Sequence, residues 1–225
     1  MFTLQDMKRN LFIIGLLLST VFSWAQNQNM NPPDLKKIGK SIANERSSNW
    51  YPKLMTRYQL NDTTLSLQEY RLLYYGYVLQ PEFMNKSTTS LLDSLTRLMT
   101  TDSISHPDYY EIAEVSARIH QLMPFDMKYL DPLSFALRLT DENDLASKVE
   151  FKLGRLVETI YNTGDGMSEQ TPFYVISPTH EMDMLRALGF TLAGSAPITS
   201  GNIDYIKVKA NDYGIQGLFF KRVYP

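Results

Sequence analysis

A chain of 225 residues is long enough for one large domain or two small ones. Its 44% hydrophobic and 20% charged residues are typical of a folded protein, and a net charge of −2 without long runs of one sign excludes a nucleic-acid-binding patch. Because the sequence has no cysteine, it excludes disulfide bonds, thiol nucleophiles, cysteine-ligated metal sites and a lipid anchor on cysteine.

The N-terminal residues have the pattern of a secretory signal peptide. Lys8 and Arg9 precede the apolar run 11–22, and small residues follow it. This run is shorter than the roughly 20 residues that span a bilayer, which disfavours the alternative of a transmembrane anchor. We therefore expect a signal peptide over residues 1–25, cleavage after Ala25, and an exported protein, periplasmic or extracellular, with no stable membrane insertion after cleavage.

A helical body is predicted over residues 34–163, after a polar, flexible leader at residues 26–33. Apolar residues recur there at helical spacing. The stripes are Leu35, Ile38 and Ile42; Trp50, Leu54 and Tyr58; Leu91, Leu95, Leu98 and Met99; Ile112, Val115, Ile119 and Leu122; and Leu145, Val149, Leu156 and Ile160. Short loops between consecutive helices predict antiparallel helical hairpins, arranged as a bundle or a short solenoid.

The segment YRLLYYGY, residues 70–77, places four tyrosines on one predicted helix. Ser66 and Glu69 have the spacing of a capping box, so this helix should begin at Leu67. One face carries Tyr70, Tyr74 and Tyr77, and the other carries Leu72, Tyr75 and Leu79. Because both faces are apolar, both are predicted to be buried. Gly76 weakens the helix, and we expect another backbone to pass close to it.

The last helix of the body has a polar face, predicted to point outward, which carries Lys148, Lys152, Arg155 and Glu158. Gly164 follows as its left-handed C-terminal stop. Residues 164–225 then predict a strand near 173–176, a short helix with Met182, Leu185 and Leu188 inward, and a hairpin from about residue 203. The expected class is α+β, mainly α, with a small C-terminal antiparallel sheet and one short helix, packed on the helical body.

Two blocks of the sequence carry a resemblance to a known family. They are WYPKLMTRYQLNDTTLSLQEYRLLYYGYVLQ, residues 50–80, and NTGDGMSEQTPFYVISPTHEMDMLRALGF, residues 162–190. Together they resemble the family catalogued as domain of unknown function 4919 (DUF4919), over most of the chain from Asn49 onward. The resemblance implies a small exported protein of a Gram-negative anaerobe, with a helical body before a small sheet. It implies no catalytic residues.

The three histidines show no metal-ligand spacing. His106 stands at a predicted helix start, which favours a capping or exposed role. His120 has helical spacing near Ile119 and is predicted to be a boundary residue. His180 lies with Glu181 and Asp183 in a first helical turn, where acidic groups interact favourably with the helix dipole. We predict no metal site and no cofactor.

No catalytic motif stands out elsewhere. The GDG segment, residues 164–166, lacks the GK[ST] ending of a phosphate-binding loop and the alternating carboxylates of a calcium loop, so it predicts a tight turn around Asp165. No GxSxG motif is present, and serines such as Ser177 are expected to cap helices. The sequence therefore favours a non-enzymatic function and leaves an enzymatic one open.

Two functions remain open from the sequence. The favoured interpretation is a non-catalytic interaction or scaffold module of the cell envelope, whose partner would be an unknown envelope protein or glycan. The alternative is a small-ligand or glycan-binding protein, or a hydrolase, with an aromatic-lined cleft. The candidate ligand-binding residues for that cleft are Trp50, Tyr58, Tyr70 and Tyr74.

The signal peptide gives a first test. The mature protein should begin at Gln26, because the small residue Ala25 ends the signal pattern. Intact-mass measurement of the exported protein checks this directly. A mature protein that retains residues 1–25 would contradict both the cleavage site and the expected compartment.

Overall fold

The computed structural model describes residues 30–84, 89–101, 104–194 and 196–224. The predicted signal peptide and residues 26–29 of the predicted leader lie outside the described residues. In the rest of that leader, the Asn31 N–H donates a hydrogen bond to the Asn162 carbonyl at 3.0 Å. The described chain forms two compact units: residues 34–159, here called the helical unit, and residues 30–33 with 160–224, here called the sheet unit.

Eight α-helices and four β-strands occur in the described residues, so the predicted, mainly helical α+β class is confirmed. The helical unit holds α1 (Leu35–Ile42), α2 (Tyr51–Gln59), α3 (Leu67–Gly76), α4 (Thr89–Thr100), α5 (His106–Leu122), α6 (Leu130–Leu139) and α7 (Asn143–Tyr161), which crosses the division between the units. The sheet unit holds β1 (Phe173–Val175), α8 (Pro178–Ala187), β2 (Ile198–Ser200), β3 (Ile203–Lys207) and β4 (Gly217–Arg222).

Local sequence signals set the ends of the first helices. At the start of α1, the Asp34 carboxylate accepts a hydrogen bond from the Lys37 N–H at 3.1 Å. The predicted capping box of α3 is confirmed, since Ser66 accepts from the Glu69 N–H and the Glu69 carboxylate accepts from the Ser66 N–H. Asn61 turns the chain after α2 with a φ of 55°, a conformation that asparagine tolerates well.

Both faces of α3 are buried, as its sequence predicts. Tyr70, Tyr74 and Tyr75 are at most 1% exposed, and Tyr77 just beyond the helix is also buried. The Tyr74 ring meets the Tyr75 ring edge to face at 4.9 Å and the Phe125 ring at 5.7 Å, measured between centroids. These are favourable aromatic geometries. The tyrosine-rich segment is therefore part of the hydrophobic core.

Gly76 ends α3 where side chains of two other helices come close. A Cβ atom at this position would lie 2.8 Å from Ile42 Cδ1 and 3.1 Å from Tyr51 Cε2. The close approach is thus made by side chains of α1 and α2 and not, as expected, by a backbone. The chain continues as a 3₁₀ turn over Tyr77–Leu79, which departs from α-helical spacing. The predicted burial of Leu79 is therefore wrong, and this residue is 47% exposed.

Helices α4, α5 and α6 share one hydrophobic core. Its buried members are Leu95, Leu98, Ile112, Val115, Ile119, Tyr129 and Ala136. Most residues of the predicted apolar stripes of α4 and α5 are therefore buried, as predicted. The predicted burial of Leu122 is wrong: this residue is 50% exposed, because α5 ends there and the backbone leaves helical geometry at Met123.

Helix α7 differs from its prediction at two positions. Its stripe is buried at Val149, Leu156 and Ile160, but Leu145 in the first turn is exposed. Lys152, predicted to point outward, is buried and only 1% exposed. It lies three residues after Val149 and four before Leu156, so helical geometry places it within the apolar stripe.

The sheet has the strand order β1-β4-β3-β2. Strand β3 pairs antiparallel with β2 and β4, whereas β1 pairs parallel with β4, with Phe173 opposite Phe220. The prediction of a wholly antiparallel sheet is wrong for this pair, because α8 follows β1 and no tight hairpin joins β1 to its neighbour. Strand β2 was not expected from the sequence, since its three residues are all exposed and show no alternation.

The GDG turn forms as predicted, but Gly164 has a different role. A Cβ atom on Gly164 would lie 2.3 Å from the Pro172 carbonyl oxygen, so close backbone approach requires glycine there. The left-handed conformation belongs instead to Gly166, with a φ of 71°. The N–H groups of Asp165 and Gly166 both donate to the Thr171 carbonyl, at 3.1 and 2.8 Å.

The burial of Tyr74 predicts how its replacement changes stability. Tyr74→Ala should lower the free energy of unfolding by about 3–5 kcal/mol, because it leaves a large cavity. Tyr74→Phe keeps the ring and should cost about 1 kcal/mol, the typical worth of one hydrogen bond. Chemical denaturation measures both changes.

Tyr110 on α5 provides the matched control, because its ring is exposed. Tyr110→Ala should change the free energy of unfolding by less than about 0.5 kcal/mol. Equal effects of Tyr74→Ala and Tyr110→Ala would contradict the core position of the tyrosine segment.

Candidate functional site

A partly open depression lies on the helical unit at the C-terminal ends of α2 and α5. It has a volume of about 420 Å³ and is lined by Thr56, Gln59, Leu60, His120 and Gln121. The lining groups are a hydroxyl, two amides, an imidazole and an apolar side chain, and Leu60 is 75% exposed. The depression can therefore bind uncharged groups through hydrogen bonds and one apolar contact.

A buried basic pair lies directly behind one wall of this depression. The Lys152 amine of α7 is 3.0 Å from His120 Nε2 of α5. His120 is 8% exposed, so one of its sides reaches the depression while the other contacts the amine. The Lys152 Nζ atom also lies 4.3 Å from the centroid of the Tyr58 ring of α2. Three helices thus contribute one polar side chain each to the same buried point.

Burial controls the charge of this pair. It lowers the pKa of Lys152 from 10.5 to about 7, because a buried ammonium loses its hydration. Burial, and secondly the neighbouring lysine, also lowers the pKa of His120 well below its usual value. The imidazole is therefore neutral near pH 7, while the lysine is divided between its charged and neutral forms.

Two polar atoms beside the pair have no hydrogen-bond partner among the described residues. They are His120 Nδ1 and Ser116 Oγ, which lies one helical turn earlier on α5. Buried polar atoms are nearly always hydrogen-bonded, so each exception points to strain or to a missing ligand. Here both orphaned atoms belong to the helix that lines the depression.

The Tyr58 side chain is held in place against the basic pair. Its hydroxyl donates to the Pro124 carbonyl at 2.5 Å, and burial raises its pKa well above the usual value, so it remains a neutral phenol. Its ring also packs against His120 at 5.7 Å and against Phe125 at 5.2 Å, measured between centroids. The ring face is therefore held against the lysine, where it favours an ammonium group by a cation–π interaction.

The structure places the sequence-predicted ligand residues in the core rather than around a cleft. Tyr58, Tyr70 and Tyr74 are buried, and Trp50, the N-cap of α2, is half-buried. Tyr58 and Tyr70 meet edge to face with ring centroids 5.9 Å apart. None of the four lines the depression, although Tyr58 contacts both members of the pair behind it.

The sheet unit contains a second buried ionisable group, Glu181 of α8. Burial, then the neighbouring Asp204 carboxylate, raises the pKa of Glu181 to about 8, and Arg222 partly opposes this shift. The Asp204 carboxylate of β3 accepts a hydrogen bond from Thr199 and lies 3.3 Å from Arg222 Nε. Near neutral pH Glu181 is therefore mostly protonated beside the Asp204 side chain, which pairs with Arg222.

The histidine predictions have different outcomes. His106 is exposed at the start of α5, as expected. His120 is buried, so its prediction as a boundary residue is wrong. His180, Glu181 and Asp183 do lie near the start of α8, but all three are buried rather than solvated around the helix terminus. No group of three possible metal ligands occurs in the described residues.

The sequence does contain a signal for the buried pair. Lys152 continues the apolar series from Val149 to Leu156, and His120 follows Ser116 by four residues on the inner side of α5. A charged residue that interrupts an apolar stripe at helical spacing is a candidate buried charge. Its partner could not be identified, because His120 and Lys152 are 32 residues apart in the chain.

The buried lysine predicts a gain in stability when it is replaced. Lys152→Met should raise the free energy of unfolding at about pH 7 by about 1–4 kcal/mol, the range for replacing buried charges with apolar groups. Lys148→Met, on the exposed face of the same helix, should change it by less than about 0.5 kcal/mol. Chemical denaturation measures both values.

The same variant predicts a change in pH dependence. Between about pH 7 and pH 10.5 the unfolded state binds a proton at Lys152 that the folded state does not, so this group makes stability rise with pH. Lys152→Met should remove that rise, and Lys148→Met should keep it. An equal pH dependence in the two variants would contradict the lowered pKa of Lys152.

No helix in the described part of the chain is long and apolar enough to span a membrane.

Comparison with known proteins places the chain in a family. No curated protein and no solved structure is significantly similar to this chain. The family model described as Domain of unknown function (DUF4919) matches residues 36–223, which include nearly all of both units. The chain therefore belongs to the DUF4919 family.

Proposed function

We propose that this protein is a non-catalytic interaction module of the cell envelope, which reaches that compartment through the signal peptide at residues 1–25. Its binding surface is the depression formed by α2 and α5. The observation that carries this proposal is the chemistry of the lining, in which Leu60 stands beside uncharged hydrogen-bonding groups and no carboxylate.

The partner that fits this surface is an uncharged, extended peptide segment of another envelope protein. The amides of Gln59 and Gln121 each offer a donor and an acceptor, which match the two polar groups of a peptide unit. The exposed Leu60 side chain can pack against an apolar side chain of that segment.

The alternative of a glycan-binding cleft has less support from the geometry. Sugar rings stack on accessible aromatic faces, but Tyr58, Tyr70 and Tyr74 have their rings inside the core. A carboxylate would also have to face the cleft if the protein were a hydrolase. The described lining of the depression has neither an aromatic face nor a carboxylate.

Site-specific crosslinking in the producing cell tests the proposal. A photoreactive amino acid at Leu60 should give one discrete adduct that a protease digests. The same amino acid at Leu79, which is also exposed on the helical unit, should give none. Gln121→Arg should abolish the Leu60 adduct, because it places a charge in an uncharged site.

Three results would contradict the proposal. They are equal adducts from positions 60 and 79, no adduct from position 60, or an adduct that a glycosidase removes and a protease does not. In the last case the surface would bind a glycan instead.

A further inference from the structure

Lys152 is a reactive group near the depression that has no role in the proposed peptide binding. Its amine contacts His120 Nε2 at 3.0 Å and the Tyr58 ring face at 4.3 Å. Within the described part of the chain, no carboxylate forms an ion pair with it. A lysine in this setting lacks the counter-charge that usually accompanies burial.

A buried amine without a counter-charge is a nucleophile. Burial alone lowers the pKa of Lys152 to about 7, so a large share of the molecules carry a free lone pair on Nζ near neutral pH. The neighbouring groups do not supply a negative charge: Tyr58 remains a neutral phenol and His120 a neutral imidazole. Exposed lysines have an ordinary pKa of about 10.4 and are almost fully protonated under the same conditions.

His120 provides the route from solvent to this amine. It lines the depression, and the described residues offer its ring only the hydrogen bond to Lys152, since Nδ1 has no partner. The His120 ring also packs against the Tyr58 ring at 5.7 Å between centroids, so a ligand in the depression would have to displace this ring to reach Nζ.

We propose that Lys152 is a covalent binding site for a small, neutral aldehyde or ketone, which enters through the depression and forms an imine with Nζ. A neutral carbonyl compound matches the uncharged lining of the depression. This site goes beyond the proposed function and does not depend on it.

The reaction is balanced without an oxidant or a metal. The lone pair of Nζ attacks the carbonyl carbon, a C–N bond forms, and one proton passes from nitrogen to the carbonyl oxygen to give a neutral carbinolamine. The second proton then passes from nitrogen to the hydroxyl group, the C–O bond breaks, and water leaves, so that one amine and one carbonyl give one imine and one water. His120 can accept the proton from nitrogen and return it to the departing oxygen, because its neutral ring has a free acceptor or donor at Nδ1.

Reductive trapping of the folded full-length chain tests the site. The protein is treated with propanal and cyanoborohydride at about pH 7, and peptide mass spectrometry compares propylation at Lys152 and Lys148. Lys148 is the matched control, since it is exposed on the same helix and pairs with Asp144 at 2.6 Å. Lys152 should be modified at least about tenfold faster, because much more of its amine is neutral.

Variants distinguish the contribution of each member of the pair. Lys152→Met should remove only the fast-reacting site, and its folding is checked by its thermal transition. His120→Phe keeps the ring volume but moves no proton, so trapping at Lys152 should slow about tenfold. Propylation of Lys148 with no modification of Lys152 would overturn the proposal, because it would show that the amine is closed off in the core. An unchanged rate in His120→Phe would overturn the role of the histidine.

Discussion

The contact between the Lys152 amine, His120 and the Tyr58 ring is a geometric constraint on the helical unit that is kept at a cost in stability. It joins α2, α5 and α7, which are distant in sequence, at one buried point. A shift of any of these helices would leave a buried basic group without its partner, at a cost of several kcal/mol. The hydrophobic contacts around it tolerate small shifts, whereas a polar contact at this depth has a single satisfied geometry.

Part of the tyrosine-rich core holds Tyr58 in this contact. Tyr58 can hold its ring against the lysine only if its hydroxyl and its other neighbours are fixed, which the Pro124 carbonyl and the ring of Tyr70 accomplish. Tyrosine suits this position better than phenylalanine, because a polar tip anchors a large apolar ring. Tyr51 and Tyr58 are both buried rings with anchored hydroxyls, which donate to the carbonyls of Leu73 and Pro124.

Much of the fold could be predicted from local patterns, whereas the candidate site could not. The capping box of α3, the turn at Asn61 and the apolar stripes are encoded within a few residues, so neighbouring positions suffice to predict them. Strand β2 has no alternation, and the parallel pairing of β1 with β4 depends on contacts almost 50 residues apart. The burial of Lys152 and Glu181 likewise depends on partners that sequence spacing does not identify.

Stability alone does not explain these buried groups. Near pH 7 the folded chain holds Lys152 divided between its charged and neutral forms, although the unfolded chain binds that proton with a pKa near 10.5. Glu181 in the sheet unit is shifted in the opposite sense, to about 8, and is held protonated where the unfolded chain would release the proton. Each shift costs free energy at neutral pH, since one pKa unit corresponds to about 1.4 kcal/mol. Apolar side chains at these positions would avoid that cost.

Ionisable groups held in their neutral form at such a cost are characteristic of sites where a protein binds or reacts. For Lys152, the depression lined by its partner His120 lies next to the buried amine.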